Sequence, residues 1–412
     1  MKHLEELQSL KDLLEIEKQA DLDFFKSIVM NKPLDVRKAD GFTWHPLSIV
    51  GSGYTFGDRA YVVVERNGNP DTPHQFRSGN VVQLFTLNKN TDDRPEKTGV
   101  VNYVYKNKMH IILNAKDLPD WLNDGNLGVD LLFDERTYIE MDKAINKVIQ
   151  AKGNRLAELR DILLGIRASE SEKAKHLLNL PRLNTAQNTA VADITTSRDV
   201  AIVHGPPGTG KTTTLVAAVQ KLTETESTVL VTAPSNTAAD LLTERLAAEG
   251  LNVVRVGNIS RVDESIVRHT LEARLATHIE AKNIKKIKIK AADLRRQARA
   301  YKRKFDFDAR TKRDMLFDEA KELSAWANDL EQRILTETLD NAQVITCTLV
   351  GAASSVLDNR HFRTVVIDEA AQALEGATWI PITKASKIVL AGDPFQLPPT
   401  VKSMDAKRGG LE

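Results

Sequence analysis

Apolar residues in this chain change their spacing several times, and each change predicts a different kind of element. Leu4, Leu7, Leu10 and Leu14, then Phe24, Phe25 and Ile28, sit among charges up to about Asn31, which predicts one or two amphipathic helices. From about Trp44 to Phe133 the period shortens. Runs at 60–64, 81–87, 99–105, 109–113 and 129–133, with a turn at Asn67-Gly68-Asn69-Pro70, predict about five or six short strands closing a small antiparallel barrel. Helical spacing then returns with Tyr138, Met141, Ile145, Val148, Leu156, Leu159 and Leu163, which reads as a second long helix. Helices on both sides of a barrel predict a paired stalk that holds it away from the main body.

From about Leu183 short apolar runs at 200–203, 228–232, 253–256, 344–346, 364–367 and 387–390 alternate with helical segments, as in a parallel sheet with crossover helices. About 271–335 carries no strand pattern, only charge-dense helical text, and reads as a helical insertion. The expected fold class is α/β: a parallel sheet with an inserted small β-barrel on a helical stalk and an inserted helical subdomain. The expected division is a stalk segment at 1–43, the barrel at 44–134, a stalk helix at 135–180, the sheet domain at 181–270 and 337–412, and the insertion at 271–336.

Chemistry enters at Gly205-Pro206-Pro207-Gly208-Thr209-Gly210-Lys211-Thr212, which fits the G-x-x-x-x-G-K-[ST] phosphate loop and follows the strand-like run at 200–203. Its glycines let backbone N–H groups turn towards phosphate oxygens, and the helix start at Thr213 adds a positive end. Lys211 supplies a point charge for the β- and γ-phosphates, and the Thr212 hydroxyl can ligate Mg²⁺. The run at 365–367 ends in Asp368-Glu369, suited to holding Mg²⁺ and to polarising an attacking water, respectively. Gln396, in the loop after 387–390, can sense a terminal phosphate. Gln187 can read an adenine edge by donating and accepting at once, and an exposed helix position is an equally good reading of that residue alone. Pro234, Ser235 and Asn236 begin a helix, where capping is certain to be part of their role and nucleic-acid phosphate contact is the added expectation.

Composition narrows the rest. The net charge of +1 over 412 residues carries no global case for an acidic partner, so local asymmetry must carry it. Between 271 and 315 fifteen basic residues, Lys285 and Lys286 among them, face six acidic ones, with Tyr301 and Phe305 interleaved; a solvated helix face competes with a nucleic-acid contact there. The single cysteine, Cys347, leaves no disulfide within the chain and no cysteine-rich zinc module, and no stretch reaches the length of apolar residues that spans a membrane. A reducing, cytoplasmic setting is the expectation.

In combination, Gly205-Pro-Pro-Gly-Thr-Gly-Lys-Thr, Ala233-Pro-Ser-Asn-Thr-Ala-Ala-Asp, Cys347-Thr-Leu-Val-Gly-Ala, Ile367-Asp-Glu-Ala-Ala-Gln and Gly392-Asp-Pro-Phe-Gln-Leu-Pro-Pro resemble superfamily 1 helicases of the up-frameshift-like branch. The resemblance covers essentially the whole chain. It implies a RecA-like P-loop domain with the barrel and helical insertions of that branch, ATP and Mg²⁺ as cofactors, and single-stranded RNA or DNA as the track, usually travelled 5′ to 3′. Position by position it implies adenine reading by Gln187, phosphate binding by residues 205–213 (Gly205, Pro206, Pro207, Gly208, Thr209, Gly210, Lys211, Thr212 and Thr213), and Mg²⁺ binding by Thr212 and Asp368. Glu369 would be the base and Gln396 the coupling residue, with Pro234, Ser235, Asn236 and Thr348 on the nucleic-acid track. No cysteine/histidine-rich regulatory module precedes the helicase text. The second RecA-like domain, with its arginine fingers, is expected in the full-length protein. An ATP-gated clamp that remodels complexes without unwinding duplex is the alternative function; a P-loop kinase or GTPase conflicts with Gln187 and with the Asp368-Glu369 pair.

Overall fold

A computed structural model describes residues 2–55, 59–68, 72–87, 94–115, 117–123, 126–172, 179–257, 262, 264–300 and 307–411. The chain opens with α1 (Lys2–Phe25) and a short α2 (Leu34–Ala39), then runs through six strands: β1 (Thr43–Tyr54), β2 (Ala60–Arg66), β3 (Val81–Thr86), β4 (Glu96–Tyr105), β5 (Lys108–Leu113) and β6 (Leu127–Leu131). These close an antiparallel barrel in the order β1-β2-β5-β4-β3-β6. Alternation does the work: Val62, Val64, Met109, Ile111 and Val129 point inward and are fully buried, while their neighbours face out. The sequence pattern predicts no strand at β1. Pro46, Gly51 and Gly53 interrupt it, and the register shifts between Trp44 and Leu47 and again between Ile49 and Gly51.

The second long helix is in fact two, α3 (Arg136–Gln150) and α4 (Arg155–Leu163). Gly153 takes φ +61°, a left-handed turn, and Asn154 then caps α4 by accepting from Ala157 N. The break redirects the chain. Met141, Ile145 and Val148 of α3 pack with Leu7, Leu10 and Leu14 of α1, whereas Arg155 of α4 bonds Asp199 and the carbonyl of Ser386 on the sheet.

After α5 (Thr185–Thr196) come β7 (Val200–His204), α6 (Lys211–Leu222), β8 (Val229–Ala233), α7 (Asn236–Ala248) and β9 (Val253–Arg255). The insertion supplies α8 (Leu271–Thr277), α9 (Ala281–Ala300) and α10 (Phe307–Asp340); β10 (Val344–Thr348), β11 (Phe362–Ile367), α11 (Glu375–Ile382), β12 (Ala385–Gly392) and α12 (Met404–Arg408) complete the domain. The strands form one parallel sheet ordered β7-β12-β11-β8-β10-β9. Val229 and Val231 face a layer made by α5, α6 and α7, while Leu230 faces the opposite layer with α1, α3 and α11. A strand buried on both faces has no polar alternation, which is why these segments read as continuous apolar runs. The barrel is not free of the rest: Lys288 Nζ of α9 donates to the carbonyl of Thr55 at 3.4 Å, and Arg295 lies 3.8 Å from Asp117.

Candidate active site

Because every strand of the sheet runs the same way, the loops that leave their carboxyl ends gather on one edge, and neighbours in the sheet become neighbours there. The loops after β7, β12 and β11 form one half of that edge, and those after β8 and β10 the other.

The phosphate loop leaves β7. At Gly205 a side chain has no room: a Cβ would sit 2.7 Å from Thr209 Oγ1 and 2.8 Å from Lys211 Cγ. Gly208 and Gly210 take φ +79° and +83°, so both require glycine, and Gly210 leads into α6. Thr209 closes the turn by donating its N–H and Oγ1–H to the carbonyl of Pro206, at 3.3 and 2.8 Å, and Gly205 N donates to Gly392 O. Pro206 and Pro207 stiffen the outer rim. Thr212 is half-buried and Thr213 exposed on the first turn of α6, where N–H groups have no partner within the helix. Lys211 is buried, and among the described residues its ammonium has one ion-pair partner, Glu369 Oε1 at 4.0 Å.

The carboxylates leave β11. Asp368 is buried, and that burial pushes its carboxyl up to about 6; the neighbouring Glu369 charge adds to the rise, while the Glu369 N–H bond (2.9 Å) and Lys211 oppose it. Glu369 takes φ +52°, uncommon for a residue with a side chain and a sign of strain held by its surroundings. Its Oε2 accepts from Gln372 Nε2 at 3.0 Å, and the same nitrogen lies 3.5 Å from Gln396 Oε1. Gln396 Nε2 in turn donates to Asp393 Oδ2 at 3.3 Å. The Phe395 N–H, Gln396 and His204 hold the Asp393 carboxyl below its ordinary range. Sequence reasoning missed Gln372 as a functional residue; its one signal was a polar side chain one turn beyond Glu369.

Gln187 reaches this half as well, and its amide makes two hydrogen bonds within the protein. Its Oε1 accepts from Asn184 N at 3.0 Å in a reciprocal cap of α5, and its Nε2 donates to Thr209 O at 3.2 Å. In this geometry Gln187 braces the phosphate loop. The buried ammonium, the carboxyl pushed up by burial, and the glycine cradle together fit an anionic phosphate chain carrying a divalent cation. Thr212 and Asp368 are the residues that could hold that cation.

On the other half, Thr348 and Ala233 are paired in register, so Pro234, Ser235, Asn236 and Thr348 do come together. Their polar atoms serve the fold. Ser235 Oγ accepts from Ala238 N, Thr348 Oγ1 accepts from Gly351 N, and Asn236 Oδ1 accepts from Arg255 Nη2 at 3.0 Å. Arg255 is almost wholly buried and also bonds Asp240 and the carbonyl of Val256; sequence reasoning gave it no role. Lys285 and Lys286 lie exposed on α9. Lys288 and Lys290, from the same basic run, are tied to α10 instead: Lys288 is paired with the buried Glu331 at 2.5 Å and Lys290 with Glu319 at 3.1 Å. Tyr301 and Phe305, with Lys302, Arg303 and Lys304, lie outside the described residues.

A family model described as an AAA domain matches residues 182–404, more than half of the chain. The chain belongs to that family. Within it, the chain falls in the superfamily 1 up-frameshift-like helicase branch, as its relatives show. DNA-binding protein SMUBP-2 of Rattus norvegicus is 32% identical across 97% of this chain and 41% of its own length. An uncharacterized ATP-dependent helicase of Methanocaldococcus jannaschii is 29% identical across 96% of this chain and 63% of its own. The ATP-dependent helicase NAM7 of Saccharomyces cerevisiae is 36% identical across 57% of this chain and 22% of its own. The chain thus spans about two fifths of SMUBP-2 and less than two thirds of each of these relatives.

Proposed function

We propose that this chain is the ATP-binding lobe of an ATP-driven motor that moves on single-stranded RNA or DNA, 5′ to 3′, and that it hydrolyses ATP only with a second RecA-like domain. The observation that carries the reading is the meeting of Lys211 and Glu369, 4.0 Å apart at the ends of two strands separated only by β12, with Asp368 buried beside them. Charge of opposite sign faces one small space from the two sides that phosphoryl transfer needs: a cation for the developing negative charge and a carboxylate for the attacking water.

Lys211 would bind the β- and γ-phosphates, with backbone N–H groups of 208–213 around them. Thr212 and Asp368 would hold Mg²⁺, whose chemistry when bound is to neutralise the phosphates. Glu369, oriented by Gln372, would accept the proton of the attacking water. Gln396, linked through Gln372 to Glu369 and through Asp393 to His204, would report the state of the phosphates to the loop that carries Phe395 and Leu397, both largely exposed. The names of the relatives, a DNA-binding protein and ATP-dependent helicases, support nucleic acid as the track. The test is Glu369→Gln in a protein that carries both RecA-like domains. It should retain ATP and nucleic acid while hydrolysis stops, since only the base is removed; normal hydrolysis would show that Glu369 is not the base.

A further inference from the structure

The outer face of the barrel carries a row of stacked rings that the nucleotide site does not use. Tyr61 of β2, His110 of β5 and Tyr103 of β4 lie across three neighbouring strands, with ring centroids 4.5 Å (Tyr61–His110) and 5.1 Å (His110–Tyr103) apart and interplanar angles of 26° and 23°. Sheet packing accounts for the inner end of the row. Tyr61 lies over Gly53 of β1, where a Cβ would sit 2.7 Å from its hydroxyl, so the ring covers a bare glycine. It does not account for the outer end. Tyr103 is 43% exposed and Tyr105, two residues on, 66%.

A local irregularity sets this exposure. Val101 pairs with Ile111 and Tyr103 with His110, leaving Asn102 as an extra residue in β4. Gly99 and Val101 face the barrel interior; beyond the bulge Tyr103 and Tyr105 turn to the outside. Bulges re-aim side chains, and here the side chains re-aimed are two tyrosines. Positive charge surrounds them. Lys106, at φ +55° in the hairpin tip, holds its ammonium 5.5 Å from the Tyr105 ring, and Lys108 is exposed on the next strand. Arg77 is exposed on the segment that lies against the bulge, where Gly79 N donates to Val101 O and Ser78 Oγ to Asn102 O. Of the nearby carboxylates, Glu65 sits opposite Lys108 and accepts from Asn107, and Glu96 is at the far end of β4. At the Gly53 end the row meets the cleft between barrel and insertion, lined by Tyr54, Lys288, Arg295 and Lys321 together with Asp117 and Asp318.

We propose that Tyr103 and Tyr105 form a base-stacking platform for single-stranded nucleic acid, with Arg77, Lys106 and Lys108 against its phosphates. Exposed rings beside clustered cations match what an unpaired strand offers, since every base has a π-face and every linkage a charge. The proposal rests on nucleic acid being the track of this protein and names where on the barrel the strand lies.

The experiment is anisotropy of the 412-residue chain with a labelled single-stranded oligonucleotide and with an abasic strand of the same length and charge. Wild type should prefer the base-bearing strand, and Tyr103→Ala/Tyr105→Ala should bind it about five- to 150-fold more weakly with an unchanged salt slope, because no charge is lost. Tyr103→Phe/Tyr105→Phe should bind like wild type, which separates ring stacking from hydroxyl contacts and covers the case in which the alanine variant does not fold. Equal affinity of wild type for the two strands, or wild-type affinity in a folded alanine variant, would overturn the platform while leaving the motor reading intact. A wild-type chain that binds neither strand would overturn both.

Discussion

Two halves of one sheet edge teach different things about what a functional residue looks like. After β7, β11 and β12 charged groups are held in burial and strain: Lys211 is buried with one carboxylate 4.0 Å away, Asp368 is buried with its carboxyl pushed up to about 6, and Glu369 sits at φ +52°. After β8 and β10 the residues expected on the track have their hydrogen bonds made within the fold. Ser235 caps a helix, Thr348 closes a turn and Asn236 holds Arg255. Buried charge and a strained backbone mark the half suited to a charged ligand, because such features cost stability and cluster at functional sites. The other half can still meet a strand, but through remaining donors and backbone, and its side chains carry stability as well.

The difference can be tested at several sizes of effect. The largest concerns catalysis. In the proposed motor this lobe would provide cation, metal ligands and base, and arginines from a second lobe would be worth about 10³–10⁵ in rate. Residues 1–412 alone should therefore hydrolyse ATP slower by about that factor than a protein with both lobes, even with single strands present. Steady-state phosphate release measures it, and vigorous turnover by the isolated chain would mean that a complementing arginine lies within it or on a second copy.

A smaller effect separates the halves by stability. Asn236→Ala leaves a buried guanidinium N–H of Arg255 unpaired and should cost about 1–3 kcal/mol of unfolding free energy; Ser235→Ala should cost about 1 kcal/mol by removing the cap. Urea melts of the purified chain check both. If neither variant is destabilised, these side chains are free for the track after all.

How much of this was legible in the sequence follows from the range of the forces. The phosphate loop and the Asp368-Glu369 pair are contiguous, because a single turn of backbone must present them together, and they could be read directly. The partners of Asn236 and Lys288 could not. Arg255 follows Asn236 by a full helix and strand, and Glu331 lies across the α9–α10 pair from Lys288, so only the tertiary fold joins them. Strand β1 was hidden by Pro46, Gly51 and Gly53, which its bulges accommodate, and the division between α3 and α4 rested on Gly153 alone. The basic run was legible as composition but not as surface, since α10 supplies carboxylates to part of it.

The smallest effect follows from that last point. Replacing exposed Lys285 and Lys286 by Gln should lower the slope of log affinity against log salt by about 0.7 for each phosphate that the two lysines neutralise in wild type. Lys288→Gln should instead leave the slope unchanged and lower stability, because it uncouples the buried Glu331. Superimposable salt titrations for wild type and the Lys285/Lys286 variant would assign those lysines to ordinary surface.

The central claim is that the β7–β11 half of the edge is built for a nucleotide phosphate chain with its cation. Titration of a fluorescent ATP analogue in Mg²⁺ against wild type, Lys211→Ala and Ser235→Ala tests it most directly. Wild type and Ser235→Ala should bind saturably, and Lys211→Ala, which lacks a charge-assisted hydrogen bond to phosphate, weaker by at least about tenfold. Equal affinity in wild type and Lys211→Ala would contradict it.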